Sequence, residues 1–221
     1  PEQTEQQPAK ANNRSISEEV PSVLIALFAG IAQGYSLAPA NEWLQLAALA
    51  VLFIFAGLRT AKAGFLAGLF FGIGWFVTSL AWLYVSVHDY GYQPPVFAAF
   101  VVFIFSCYLA LYPAAVGALC AWSMKRGSSA GLMLLAIAPA AWGLTDAQRR
   151  AFSGFPWSAV SYAHVDGSLS AFAPICGADG INFLAAFISG CAALLLLERK
   201  NLKGIAVSCA GLLVVFLLHL L

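Results

Sequence analysis

Charged side chains are scarce in this sequence. They make up 10% of its 221 residues, whereas a soluble domain of this size carries about a quarter. This scarcity excludes a soluble globular enzyme and a nucleic-acid binder, and the 61% share of hydrophobic residues excludes a disordered protein. The composition therefore predicts a polytopic membrane protein, with no nucleic acid among its partners.

The sequence also lacks the spacings at which cysteine and histidine bind metals. None of the five cysteines forms a C-x-x-C pair, and no histidine stands at zinc-ligand spacing from one. No base that could activate a cysteine nucleophile is evident. We therefore expect no metal and no cofactor. We interpret all five cysteines as buried packing residues: Cys107, Cys120, Cys176, Cys191 and Cys209.

Seven apolar segments follow a polar stretch at residues 1–21. Since a spanning helix needs about 20 mostly apolar residues, they predict an all-α integral membrane fold with seven transmembrane helices. In numbers, the segments are about 20–38, 43–58, 63–87, 94–124, 128–144, 181–197 and 204–221. Residues 1–21 are predicted to form a polar tail and residues 22–221 the membrane domain, with a long outer loop at about 145–180.

The basic residues are distributed unevenly along this pattern. Nine of the eleven fall in the tail and in every second connection, and the other two are Arg149 and Arg150 in the long loop. The positive-inside rule then predicts a cytoplasmic N-terminus and a periplasmic C-terminus. The chain begins with Pro rather than Met, so we treat it as a possible fragment.

The predicted spans contain almost no ionisable residue. Proton-coupled transporters and ion pumps keep such residues near the bilayer midplane, so transport is disfavoured. Small residues at four-residue spacing in the third segment, Gly64, Gly68 and Gly72, together with Gly74, predict close helix packing.

Tyr and Trp side chains concentrate on the predicted outer side. The alternatives are an ordinary aromatic belt, which is roughly even on both sides, and a surface that holds an amphiphile or a partner domain. The nine residues assigned to this side are Tyr35, Trp43, Trp82, Tyr84, Tyr90, Tyr92, Trp142, Trp157 and Tyr162.

Polar residues on the same side offer several interpretations. His88 and Asp89 are interpreted as a solvated loop pair. Asp146 and Arg149, at i and i+3, share a helix face and predict an ion pair. Alternatively, Arg149 or Arg150 binds a lipid phosphate, for which the guanidinium fork is suited.

Several blocks resemble the apolipoprotein N-acyltransferase family of the bacterial inner membrane. The Trp82-Leu83-Tyr84-Val85-Ser86-Val87 block, with Tyr90-Gly91 after it, resembles one block of that family. The loop Ser153-Gly154-Phe155-Pro156-Trp157 resembles its G-F-P-W loop, and Ser161-Tyr162, Asp166-Gly167 and Ala173-Pro174-Ile175-Cys176-Gly177 follow in order. Ala38-Pro39, Trp43, Trp142, Asp146 and Arg149 also match, and the resemblance covers about residues 24–197.

Three departures from the family accompany the resemblance. The family more often has Glu where Asp146 stands, the stretch from Arg149 to Gly154 is one residue short, and Arg150 replaces a small residue.

The resemblance implies an enzyme that moves an acyl chain from a phospholipid to the N-terminal diacylglyceryl-cysteine of a lipoprotein. In this family a Glu-Lys-Cys triad in a nitrilase-like domain carries out the chemistry, and nothing in the sequence matches that domain. The expected catalytic residues are therefore none, and the 221 residues alone are expected to be inactive. The expected role is to bind lipid and lipoprotein in a multi-pass inner-membrane protein and to dock the nitrilase-like domain.

Seven residues are expected to bind substrate: Trp82, Tyr84, Tyr90, Arg149, Phe155, Trp157 and Tyr162. Pro156 and Gly154 predict a rigid bend that presents Phe155 and Trp157 at the outer interface. The alternatives to an enzyme are a non-enzymatic membrane module that binds lipid or anchors a partner, and a small-solute permease.

Overall fold

The computed structural model describes residues 10–57 and 60–219. Within them every regular element is helical, which confirms the all-α prediction. The predicted tail falls partly outside the described residues, as do Arg59 and Leu221, and α1 already begins at Lys10. The α-helices are α1 (Lys10–Tyr35), α2 (Glu42–Gly57), α3 (Ala61–Ser79), α4 (Ala81–Val85), α5 (Pro95–Lys125), α6 (Ala130–Leu132), α7 (Ala138–Ser153), α8 (Ala173–Leu197) and α9 (Leu202–His219).

Short irregular helices connect or extend these elements. Two π-helical turns, Ser86–Tyr90 and Met133–Ile137, follow α4 and α6, and two 3-10 helices, Val160–His164 and Ser168–Phe172, precede α8. The second π-helical turn lies just before Pro139, which has no N–H to donate to the preceding turn, so the helix changes its hydrogen-bond register there.

Four helical segments are long and apolar enough to cross a membrane by length and composition: Ala61–Ser79, Pro95–Lys125, Ala130–Phe152 and Ser168–Leu197. Three shorter apolar helices, Pro21–Tyr35, Glu42–Gly57 and Leu202–Leu218, correspond to the first, second and seventh predicted segments. The structure thus has a helix for each predicted segment. That all seven span a membrane stays a prediction.

Besides the early start of α1, three predicted boundaries differ from the structure. The third segment breaks at Leu80, where the Thr78 hydroxyl donates to the Gly74 carbonyl and competes with the helix's own backbone bonds. The fifth continues to Ser153, nine residues past its predicted end. The sixth begins at Ala173 and bends at Gly177, whose φ of 63° and ψ of −169° are not helical. The long loop is therefore shorter and more helical than predicted.

Helix α3 packs tightly between α1 and α5. A Cβ on Gly68 would collide with the Pro113 carbonyl of α5, and one on Gly74 would collide with the Leu27 carbonyl of α1. Such close approach requires glycine, so the packing role predicted for these residues is confirmed. The paired positions show that α3 runs parallel to α1 and antiparallel to α5.

The cysteine prediction holds for two positions. Cys120 and Cys191 are buried and Cys107 is half-buried, but Cys176 and Cys209 are exposed, which corrects their predicted burial. Cys209 lies on α9, which packs mainly on α8 and leaves its other side open.

Aromatic rings fill the centre of the bundle. Trp75 stacks between Phe76, at 4.3 Å between ring centroids, and Trp142, at 5.6 Å. Phe71 and Phe53 meet the Trp142 ring edge-on. Trp142 is 3% exposed, so it belongs to this core and offers no free surface to an amphiphile.

Candidate functional site

The segment between α7 and α8 meets the ends of α1, α2 and α4 at one end of the bundle, which we call the loop end. An open cleft of about 380 Å³ lies there, within the range of small-ligand sites. We call it the Trp82–Trp157 cleft. Its aromatic walls are Tyr35 of α1, Trp82 of α4, and Trp157 and Tyr162 of the α7–α8 segment.

The two tryptophan rings contact each other at a tilt of 55°, with 6.0 Å between ring centroids. Trp82 is 45% exposed and Trp157 is 50% exposed, so each retains a large free surface. Indole offers apolar area together with one N–H donor. The cleft can therefore contact an apolar chain and a polar group at the same time.

A sharp turn places Trp157 in the cleft. Helix α7 ends at Gly154, whose φ of 63° is left-handed and whose N–H donates to the Arg150 carbonyl. Phe155 then turns inward, 9% exposed, and its ring meets Phe105 edge-on at 5.0 Å. The predicted bend is present, but Phe155 supports the Trp157 ring from behind rather than facing the membrane interface.

Arg149 holds this turn in place from beneath. Its Nη2 donates to Asp146 Oδ1 at 2.7 Å, and its Nη1 donates to the carbonyls of Phe155 and Trp157, at 3.0 Å each. Its guanidinium also lies over the Phe76 ring at 5.6 Å. The α7–α8 turn is thus bonded to α7 through a side chain that is 1% exposed.

This geometry decides between the two interpretations of Arg149. The ion pair with Asp146 is present, and the buried guanidinium has no surface on which to meet a phosphate. The predicted binding of phosphate by Arg149 is therefore corrected to a structural role. Arg150 is 25% exposed at its side chain and pairs with Asp146 and Asp179.

Asn182 extends the Asp146 network to α8. Its Nδ2 donates to Asp146 Oδ2 at 2.6 Å, and its Oδ1 accepts from the Ser161 N–H at 2.7 Å. Asp146 of α7 thus bonds to Asn182 of α8, and Asn182 in turn bonds to the first 3-10 helix. A buried polar group that loses its hydrogen-bond partner costs free energy. Other arrangements of the loop end would break these bonds, so the network favours this one.

A second buried network fixes the other side of the same segment. His164 is 0% exposed, with its Nε2 2.7 Å from Gln45 Oε1 and its Nδ1 3.6 Å from Glu42 Oε2. Glu42 accepts from the N–H and the hydroxyl of Ser168 at 2.9 and 3.2 Å. These contacts join α2 to both 3-10 helices.

His164 should make stability depend on pH. Burial lowers the pKa of His164. The neighbouring Glu42 opposes this shift, but burial is the larger effect, so the pKa lies below its ordinary value. The unfolded chain then binds a proton near pH 6.5 that the folded protein does not. We expect thermal stability to fall as pH drops from about 7.5 to 5.5, and His164→Gln to flatten this dependence. An unchanged pH dependence in the variant would show that another group is responsible.

The structure brings together part of the predicted substrate-binding set. Trp82, Trp157 and Tyr162 line one cleft, with Phe155 behind them. Tyr84 lies apart beside His88, at 5.4 Å between rings, and Tyr90 is 80% exposed on the π-helical turn. His88 and Asp89 are partly exposed and 3.8 Å apart, in agreement with a solvated pair.

Sequence reasoning missed the uncharged polar residues inside apolar helices. Gln33, Gln45 and Asn182 are each at most 1% exposed. Asn182 belongs to the Asp146 network and Gln45 to the His164 network, where its Nε2 also donates to Gln33 Oε1 at 3.5 Å. An amide inside a predicted span is the signal that could have identified them, because such a group needs a partner there. Within the described residues, no three His, Cys, Asp or Glu side chains are grouped to hold a metal.

Comparisons with known proteins identify the family of this chain. The family model described as the apolipoprotein N-acyltransferase N-terminal domain matches residues 29–191. The chain is 37% identical to the apolipoprotein N-acyltransferase of Ralstonia nicotianae over 202 residues, which are 85% of this chain and 37% of that protein. For the same-named protein of Vibrio cholerae the identity is 32% over 192 residues, 85% of this chain and 37% of that protein.

A third relative gives the same coverage pattern. The apolipoprotein N-acyltransferase of Photobacterium profundum is 36% identical over 170 residues, 76% of this chain and 32% of that protein. The chain thus spans about a third of the length of the curated relatives it matches. The resemblance found in the sequence motifs is confirmed: this chain belongs to the apolipoprotein N-acyltransferase family and contains its N-terminal domain.

Proposed function

We propose that this chain is the membrane part of an apolipoprotein N-acyltransferase in the bacterial inner membrane. The whole enzyme takes an acyl chain from a phospholipid and gives it to the N-terminal diacylglyceryl-cysteine of a lipoprotein. The membrane part binds the lipid substrates and docks the nitrilase-like domain, where a Glu, a Lys and a Cys carry out the transfer through a thioester.

The Trp82–Trp157 cleft is the observation that carries this proposal. It is open and aromatic, and two buried polar networks hold the segment that carries its Trp157 and Tyr162 wall, so this wall is in place before a ligand arrives. A preformed apolar site loses little conformational entropy on binding. An acyl chain lies against the two indole rings, and an indole N–H donates to an ester oxygen at the interface.

A chimera tests the proposed function. Residues 22–221 of this chain replace the corresponding segment of the Ralstonia nicotianae relative, and the chimera is expressed in bacteria depleted of their own enzyme. We expect transfer of labelled acyl chains from phospholipid to a diacylglyceryl lipopeptide. A chimera that inserts and folds but transfers nothing contradicts the proposal and favours the non-enzymatic module.

The 221 residues expressed alone should transfer no acyl chain. The Cys176 thiol donates to the Phe172 carbonyl rather than to a base, and Cys120 and Cys191 are buried. Incubation with labelled phospholipid should leave all five cysteines without a hydroxylamine-sensitive label. A thioester on any one of them would place a nucleophile in this part of the protein.

The proposal includes seven spans with the loop end facing the periplasm. The uneven distribution of basic residues supports this orientation. A topology reporter fused after Lys203 should report the cytoplasm, and one fused after Leu221 should report the periplasm. If both fusions report the same compartment, the seventh helix does not cross.

A further inference from the structure

A small cavity lies beside the buried ion pair of Asp146 and Arg149. Its volume of about 10 Å³ is close to the space that one water molecule needs. Its walls come from α3, α5 and α7, and they include Trp75, Trp142 and Thr145. We call it the Trp75–Trp142 cavity.

Both tryptophans of this cavity carry an indole N–H that has no hydrogen-bond partner among the described residues. Trp75 is 2% exposed and Trp142 is 3% exposed, so neither N–H reaches bulk solvent. A buried donor without a partner costs free energy, and native proteins satisfy nearly all such groups with protein or with ordered water. Two such donors at one cavity therefore indicate a ligand that accepts hydrogen bonds.

The spacing of the two rings suits a single shared acceptor. The rings are stacked at 19° with 5.6 Å between their centroids. An oxygen atom that accepts two N–H···O bonds of about 2.9 Å each spans up to about 5.8 Å between the donor nitrogens. One atom between Trp75 and Trp142 is therefore consistent with the distance between the rings.

Thr145 supplies an acceptor on the wall of the same cavity. Its hydroxyl donates to the carbonyls of Ala141 and Trp142, at 2.8 and 3.1 Å. The single hydroxyl proton is thus used within α7, while the lone pairs of the oxygen stay available. A ligand that accepts from both indoles and donates to Thr145 makes three hydrogen bonds, which is typical of a buried water.

The charges around the cavity do not favour an ion. Arg149 and Asp146 pair with each other at 2.7 Å, so their charges offset one another. A halide has no proton to donate to Thr145 and would lie near the Asp146 carboxylate. A cation would meet the two indole N–H donors. Water both accepts and donates hydrogen bonds, so it fits this set of groups best.

We propose that the Trp75–Trp142 cavity binds one water molecule. The water accepts from the indole N–H groups of Trp75 and Trp142 and donates to Thr145 Oγ1. Because Trp75 belongs to α3 and the other two residues belong to α7, the water joins these two helices inside the bundle. The site is independent of acyl transfer, since it requires neither a lipid substrate nor a nitrilase-like domain.

A high-resolution crystal structure of the protein tests the proposal. The crystals are grown in sodium bromide, so that a halide in the cavity is identified by its anomalous scattering. We expect a peak of water density within about 3.2 Å of both indole nitrogens and of Thr145 Oγ1, without an anomalous signal.

Thr145→Val removes the acceptor and keeps the shape of the side chain. We expect the water peak to be lost from the map of this variant. Thr78→Val is the matched control, because the Thr78 hydroxyl also donates to the carbonyl four residues earlier, that of Gly74, but Thr78 does not line the cavity. The water peak should be retained in the control.

Three results overturn the proposal. The first is a wild-type map without a peak between the two indoles. The second is an anomalous peak at that position, which would identify a halide. The third is a water peak that Thr145→Val leaves unchanged, which would remove Thr145 from the site. The first two results need no variant, so the test stands even if Thr145→Val does not fold.

Discussion

Replacing Arg149 with Met should lower the free energy of unfolding by about 3–5 kcal/mol, the usual cost of removing one partner from a buried ion pair. The substitution leaves Asp146 buried with less compensation, and it removes the donor that the carbonyls of Phe155 and Trp157 share. Arg150 remains 3.4 Å from the other Asp146 oxygen, so the lower end of this range is expected.

Thermal unfolding in detergent measures this loss, and Arg150→Met is the matched control. The Arg150 side chain is 25% exposed and part of its partnership is with exposed Asp179, so its removal should cost about 1 kcal/mol or less. Equal stability losses in the two variants would contradict the role given to Arg149. Normal folding of Arg149→Met with weakened phospholipid binding would restore the phosphate-binding interpretation.

Removing both Trp82 and Trp157 should strongly reduce acyl transfer by the chimera. Both indoles line the cleft and are about half exposed. Loss of about 1.4 kcal/mol of contact between one ring and an acyl chain lowers kcat/KM about tenfold. We therefore expect about tenfold for each Trp→Ala variant and up to about a hundredfold for the double variant.

Trp122→Ala is the control for general loss of aromatic surface. Trp122 is 47% exposed, about as much as the two cleft tryptophans. It lies beside Arg126 near the C-terminal end of α5, away from the loop end. This variant should transfer acyl chains normally. If Trp157→Ala inserts, folds and keeps full turnover, the cleft does not bind the substrate; if the protein is degraded instead, the ring serves packing.

The helices could be predicted from the sequence because their signals are local. The apolar run at 94–124 predicts α5, found at Pro95–Lys125, to within one residue at each end. Glycines at four-residue spacing predict the close packing of α3, since only the missing side chain matters. The break at Leu80 carried no such signal, because it contains neither proline nor glycine.

The fate of individual polar and aromatic residues could not be predicted in the same way. Arg149 is buried by backbone carbonyls six and eight residues further along, and carbonyls carry no sequence signature. Gln45 and His164 meet across 119 positions of the chain. The sequence places Trp82 and Trp142 on the same side of the membrane and does not distinguish them, yet tertiary packing buries Trp142 and leaves Trp82 exposed.

The most direct test of the lipid site locates a substrate phospholipid on the protein. A phospholipid with a diazirine in its acyl chain is bound to the chimera, illuminated, and its sites of attachment are mapped by peptide mass spectrometry. We expect attachment to Tyr35, Trp82, Trp157 or Tyr162, and less of it when unlabelled substrate phospholipid competes. Attachment confined to other surfaces, or unaffected by competition, would contradict the assignment of the Trp82–Trp157 cleft as the lipid site.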